Sequence, residues 1–227
     1  MIRTFLKAKH WQLFTLIFAI PMFIQFTMMS MILSDVTHRI SGISETDINP
    51  TMMMETMMSH TTNFMTVFSI VMLFIIVMMF GWYWAVGVGL QAKIPEAVKM
   101  NVKKFKFFYW VSVIYSLFFV GFLAFLAAYL PMLMTGVMSF SALSWVLSIS
   151  IFIHFLAVFA MFYCLYFTAK TIKTAELQRE TTFNDFIGEF LLIWFFPIGV
   201  WILQPRINAL VNQDFHQGED MDWLDDM

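Results

Sequence analysis

Four long stretches of this chain, 11–34, 64–90, 108–132 and 143–168, contain no Asp, Glu, Lys or Arg at all. A helix needs roughly 20 apolar residues to cross a hydrocarbon core of about 30 Å, and every stretch exceeds that length. Lipid offers no hydrogen bonds to an exposed backbone, so segments of this kind must satisfy their N–H and C=O groups internally, as helices do. The expected fold is all-α: a polytopic membrane helical bundle with four transmembrane helices.

The composition agrees. Only 12% of the 227 residues are charged and 60% are hydrophobic, whereas soluble domains carry roughly 25% charge. Too little chain remains between the apolar stretches for a separate soluble domain. Residues 1–210 read as a single integral bundle. Residues 211–227, with Glu219, Asp220, Asp222, Asp225 and Asp226, read as an acidic, disordered tail. The one cysteine, Cys164, lies inside the fourth stretch, so no intramolecular disulfide can form. The net charge of −2 argues against a nucleic-acid partner.

Basic residues sort between alternate connections. Arg3, Lys7 and Lys9 precede the first stretch, and Lys93, Lys99, Lys103, Lys104 and Lys106 follow the second. Lys170, Lys173 and Arg179 follow the fourth, while the opposite face holds Arg39 alone. The positive-inside rule then places the N-terminus in the cytoplasm, with a bacterial inner membrane as the expected location. The 24-residue first stretch behind a basic start reads as an uncleaved signal anchor. Trp11, Trp82, Trp84, Trp110 and Trp145 sit toward the ends of the stretches, as an interfacial aromatic belt would.

A fifth apolar segment, 190–203, has only 14 residues, with Pro197 and Gly199 inside and Glu189 at its edge. At 1.5 Å per residue it covers about 21 Å. A re-entrant or interfacial element fits this length better than a kinked, tilted span, and would keep the acidic tail cytoplasmic. Thr182 followed by Asp185 is a capping pattern that starts a helix at Phe183. Asn49-Pro50 starts another, which then runs unbroken into the second stretch for roughly 60 Å. Pro21 and Pro197 are expected kink points. Between the second and third stretches, Val98, Val102 and Phe105 alternate with Lys99, Lys103 and Lys106 at helical spacing. That pattern suits a short interfacial helix over 91–107 with its lysines toward anionic lipid headgroups. The same lysines also suffice simply to set topology.

Small residues mark helix contacts in lipid, where apolar side chains do not drive association. Gly81, Ala85 and Gly89 form one row and Gly121, Ala124 and Ala128 another, both expected inside the bundle. Ser150, His154, Ala157, Met161, Cys164 and Thr168 share a face of the fourth helix. An ionisable group deep in a span is a functional candidate by default. His154 could be a proton relay or ligand, or a neutral imidazole bonded to Ser150 or to a hydroxyl on another helix. Gln25 and Glu189 are further polar candidates, Glu189 either paired with a lysine or resting at the wet interface. No second histidine lies at the depth of His154, which argues against a bis-histidine haem, and no cofactor is expected. Met53, Met57 and His60 fall on one helical face in a Met-rich segment. Soft thioethers suit Cu(I), while adaptable apolar packing is the plainer use of methionine.

No P-loop, H-E-x-x-H or G-x-S-x-G motif is present, and no pair of intramembrane carboxylates. The expectation is a non-catalytic accessory or assembly subunit in contact with the lipid bilayer and other membrane proteins. The alternatives are a small transporter using His154 and an outward-facing Met-rich copper-binding protein.

Overall fold

A computed structural model describes residues 2–41, 50–134 and 140–212. The expected acidic tail falls almost entirely outside these residues, as do the side chains of Met53 and Ala128. The described residues are helical almost throughout, with no strand. A short helix α1 (Ile2–Lys7) precedes the first span, which consists of α2 (His10–Phe14), one π-helical turn (Thr15–Ala19) and α3 (Ile20–Ser41). The π turn sits immediately before Pro21, whose ring lacks a donor and crowds the preceding turn; a widened turn absorbs that clash. The other spans are α4 (Pro50–Gly89), α5 (Val102–Met134) and α6 (Phe140–Leu177). Four helices are therefore long and apolar enough to cross a membrane. Helix α4 begins at Pro50, where fixed φ and a missing N–H cost nothing.

The fifth apolar segment is not one continuous span. It forms two helices, α7 (Phe183–Trp194) and α8 (Phe196–Asn212), of about 18 and 26 Å. Helix α7 starts where the capping pattern requires: Asp185 Oδ2 accepts the Thr182 N–H at 2.8 Å and the Thr182 hydroxyl at 2.9 Å. The backbone bond from Thr182 and the Arg179 guanidinium hold the Asp185 carboxyl down at about 2. Helix α7 then runs back along α6, with Phe186 against Tyr166 at 5.1 Å and Trp194 against Phe162 at 4.5 Å between ring centroids. At Phe195 (φ −90°, ψ 56°) the chain breaks. Pro197 lies in the first turn of α8, where it is tolerated. Helix α8 returns along α2, with Trp201 packed on His10 at 4.7 Å and Asn208 Nδ2 donating to Ala8 O at 3.1 Å. Both ends of this re-entrant hairpin thus lie on the face that carries α1 and the end of α6.

Gly199 closes the hairpin. A Cβ there would lie 1.7 Å from the Leu192 carbonyl oxygen, so no side chain fits unless the backbone moves.

Three expectations need correction. The connection 91–107 is not an interfacial helix: a 3₁₀ turn (Leu90–Lys93) is followed by irregular chain, and α5 begins at Val102. The Asn101 side chain explains the boundary, since its Oδ1 accepts the Lys104 N–H at 3.0 Å as an N-cap. Trp82 is no belt residue but is fully buried. The small-residue rows also part company. Gly81 and Gly89 admit Phe5, Ile2 and Leu6 of α1 rather than another span, and Ala85 beside them is fully buried. Gly121 has nothing within 4 Å of its would-be Cβ, and Ala124 is exposed.

Packing is strongly one-sided. The buried core joins α1, α2, α7 and α8 to the lysine-bearing ends of α4, α5 and α6. Among the described side chains, none is buried beyond Pro21 in α3, beyond Val120 in α5, or before Ala157 in α6.

Gly199→Ala should destabilise the detergent-solubilised protein by about 2 kcal/mol or more, the scale of forced overpacking. Gly188→Ala, whose Cβ would meet nothing within 4 Å, should be neutral or stabilise by up to about 1 kcal/mol through helix propensity. Thermal unfolding of the two variants side by side checks the hairpin. The Asp185 cap should hold above the ordinary aspartate range, near pH 4, and fray only as pH falls toward 2, because the folded carboxyl titrates below the unfolded one. Amide exchange over the first turn of α7 reads this directly.

Candidate functional site

Polar groups inside the bundle gather at three depths. The deepest charge is a balanced cluster at the base of the hairpin. Glu189, only 5% exposed, receives Lys173 Nζ at 3.1 Å. Arg206 forks onto Glu176, with Nε 2.6 Å from Oε1 and Nη2 on Oε2, and its Nη2 also reaches Glu189. Two cations and two anions cancel, and the bidentate fork satisfies the geometry that a desolvated carboxylate needs. The cluster ties α7 and α8 to α6. The lysine partner anticipated for Glu189 comes from α6, where Lys173 extends the helix beyond its apolar stretch. Arg206 gave no signal in the sequence because it follows the apolar segment and sits next to Pro205.

A second polar centre was equally silent. Gln204 is fully buried, its Oε1 accepting the Trp82 indole N–H at 2.9 Å. Its amide nitrogen lies 2.9 Å from Phe5 O and 3.0 Å from Ala8 O. A helix end leaves carbonyls without partners, and here α8 supplies the donors that end α1. One side chain thereby joins α1, α4 and α8.

The third depth is that of His154, at the middle of the fourth apolar stretch. Tyr115 of α5 bonds its Nδ1 at 2.5 Å. A phenol is the better donor of the two, so Tyr115 is assigned as donor and Nε2 keeps the ring proton. The pair edges a cavity of about 310 Å³ between α4, α5 and α6, whose walls include Met72, Phe80, Tyr83, Phe119 and Met161. The walls are mostly carbon; Ser112 and Ser116 turn their hydroxyls back to carbonyls of their own helix. Ser150, one turn away, is half-buried and makes no bond to His154. Thr168 on the same helix face is fully buried with an unpartnered hydroxyl, and Gln25 of α3 has both amide atoms buried without a partner among the described residues.

The remaining candidates lie at the two interfaces. Lys99, Lys103 and Lys106 are exposed, and Lys106 also lies over the Trp84 ring at 5.4 Å. His60 is bound through Nε2 to Asp35 of α3 at 2.8 Å, and Arg39 Nε meets the same carboxylate oxygen at 2.7 Å. Met57 is largely exposed one turn before His60. Set beside known proteins, the chain matches no family model, no curated protein and no solved structure.

Glu189→Leu should cost about 3 kcal/mol by leaving Arg206 and Lys173 with a single carboxylate between them. Arg206→Leu should cost a similar amount, and the double variant markedly less than the sum of the two. Denaturation of all three variants in one detergent measures the coupling; strict additivity would dissolve the cluster as a unit.

Proposed function

We propose that this protein is a non-catalytic accessory or assembly subunit of a bacterial inner membrane, with its N-terminus in the cytoplasm. The eleven basic residues on alternate connections support that orientation. The observation that carries the reading is the one-sided packing. One end is a well-filled core braced by a re-entrant hairpin, an ion cluster and the Gln204 junction. At the other end no described residue of α3, α5 or α6 is classed as buried. In lipid, helices associate where small residues allow close backbone approach and polar groups find partners. Gly121 and Ala124 lie open on α5, and His154 offers a donor at mid-depth. A partner membrane helix would complete these surfaces, and the packed end would hold them in place.

Co-purification in mild detergent tests the reading. The intact protein should bring down a discrete membrane partner. Gly121→Leu should abolish that capture without changing thermal stability, since no described residue lies within 4 Å of a Cβ there. A partner-free monomer that stays so after gentle extraction and lipid-side cross-linking would overturn it.

A second reading draws on the Tyr115–His154 pair beside a cavity: a small transporter or ion-handling protein with His154 in the pathway. It requires flux that is lost in His154→Ala, measured in proteoliposomes.

A further inference from the structure

At the lysine-bearing end of the bundle, α1, α2, the π turn and α4 border an open cavity of about 700 Å³. Its polar side chains can all donate. Arg3 and Lys7 stand one turn apart on α1, roughly 6 Å between Cβ atoms, and both line the cavity. Gln12 Oε1 accepts the Lys9 N–H at 2.9 Å, which leaves the Gln12 amide nitrogen as a donor. Thr27, Thr37, Thr61 and Thr66 return their hydroxyls to carbonyls of their own helices. The hydroxyls of Thr4 and Thr15, which line this cavity, make no such bond among the described residues. No carboxylate stands in the lining.

The remaining wall is carbon, with Leu13 and Leu16 on one side and Met78 of α4 on the other. Arg3 and Lys7 precede the charge-free stretch 11–34, and the two leucines lie within it. The cations therefore sit toward water and the carbon wall toward hydrocarbon. Half-exposed Trp11 lines the cavity at the junction, where an interfacial indole is expected.

These features select an amphipathic anion. Phosphate oxygens only accept, and charge-assisted bonds from guanidinium and ammonium are the strong ones. Two cations without a carboxylate favour a head of net negative charge, because the ammonium of a zwitterionic head would meet no counter-charge there. The carbon wall is served only by a molecule that carries chains. Arg3 and Lys7 each hold several N–H donors, so each can serve a phosphate and keep another partner in the chain. Basic pockets among membrane helices at the cytoplasmic surface bind heads of this kind. In the orientation proposed for this chain the cavity faces that leaflet; only the choice of leaflet rests on that reading.

We propose that this cavity seats one anionic phospholipid. Its phosphate meets Arg3, Lys7 and the neighbouring amide and hydroxyl donors, and an acyl chain lies against Leu16 and Met78. Helix α1 is also the element that fills Gly81 and Gly89 of α4, so a lipid bound to it braces the packed end of the bundle. The exposed Lys99, Lys103 and Lys106, where the sequence suggested headgroup contact, are not part of this seat.

The test uses the full chain in mild detergent, read by native mass spectrometry with equimolar phosphatidylglycerol and phosphatidylcholine of matched chains. One phosphatidylglycerol per chain should be retained with a preference of about tenfold or more, and it should raise the melting temperature where phosphatidylcholine does not. Arg3→Gln combined with Lys7→Gln should erase the preference. Thr4→Val combined with Thr15→Val keeps both charges and should weaken retention severalfold; it carries the test should the charge variant lose its fold. Lys99→Gln, Lys103→Gln and Lys106→Gln together remove more charge than the Arg3 and Lys7 pair and should leave the bound lipid in place. Inorganic phosphate at millimolar concentration should not displace it. Equal retention of the two lipids, retention unchanged in both the charge and the threonine variants, a preference lost in the three-lysine variant, or displacement by phosphate alone would each overturn the assignment. None of these variants touches Gly121, so lipid binding and partner capture can fail separately.

Discussion

Hydrocarbon supplies no hydrogen bonds, so any chain that enters a bilayer and turns back must carry partners for the backbone and side-chain groups that the turn exposes. The α7–α8 hairpin meets this demand in three places. At its base the Thr182–Asp185 box satisfies the N-terminal donors of α7. Along its length Glu189 and Arg206 neutralise each other and engage Lys173 and Glu176. At its return Gln204 and Asn208 donate to the carbonyls that α1 leaves open. Without these the hairpin would present two charges and several backbone groups to lipid, and the tight crossing at Gly199 would have nothing to hold it closed.

Once the hairpin is seated, the distribution of packing follows. It wedges between α6 and α2, so the lysine-bearing ends of the spans must gather around it. Toward their opposite ends no described residue of α3, α5 or α6 is buried. The glycines record the difference. Gly81, Gly87 and Gly89 are filled by Phe5, Phe105 and the Ile2–Leu6 pair, each within 3.0 Å of a would-be Cβ. At Gly121 no described residue lies within 4 Å of a would-be Cβ. A glycine row thus signals close approach only where some other element arrives to use it, and the short α1 proved to be that element for α4.

The four spans, the start of α4 at Pro50 and the start of α7 at Phe183 were legible from sequence because each rests on local rules: apolar length, a proline-compatible first turn, a capping pair. That the fifth segment would not form one full-length span was legible as a length argument, since 14 residues fall short of the core thickness. The contacts that hold it were not. Gln204 and Asn208 stand one turn apart on α8 and Arg206 lies on another face between them, yet their partners on other helices lie 17 to 200 positions away in the chain, and no periodicity encodes distance of that kind. The lysine stripe over 91–107 misled for the converse reason. Its spacing was helical, but Asn101 offers a better N-cap than any residue before it, so the helix begins late and splits the stripe.

His154 and His60 show how the same side chain is given opposite chemistry by its neighbour. At His154 the partner is a phenol: Tyr115 is the better donor to Nδ1, which leaves the ring proton on Nε2. At His60 the partner is a carboxylate instead: Asp35 Oδ2 lies 2.8 Å from Nε2, and an ionised carboxylate can only accept. A donor at mid-bilayer is satisfied by a carbonyl or hydroxyl on another helix. The two histidines lie at different depths, so neither needs the other. What separates them is which ring nitrogen the second helix takes, a choice made by one phenol and one carboxylate.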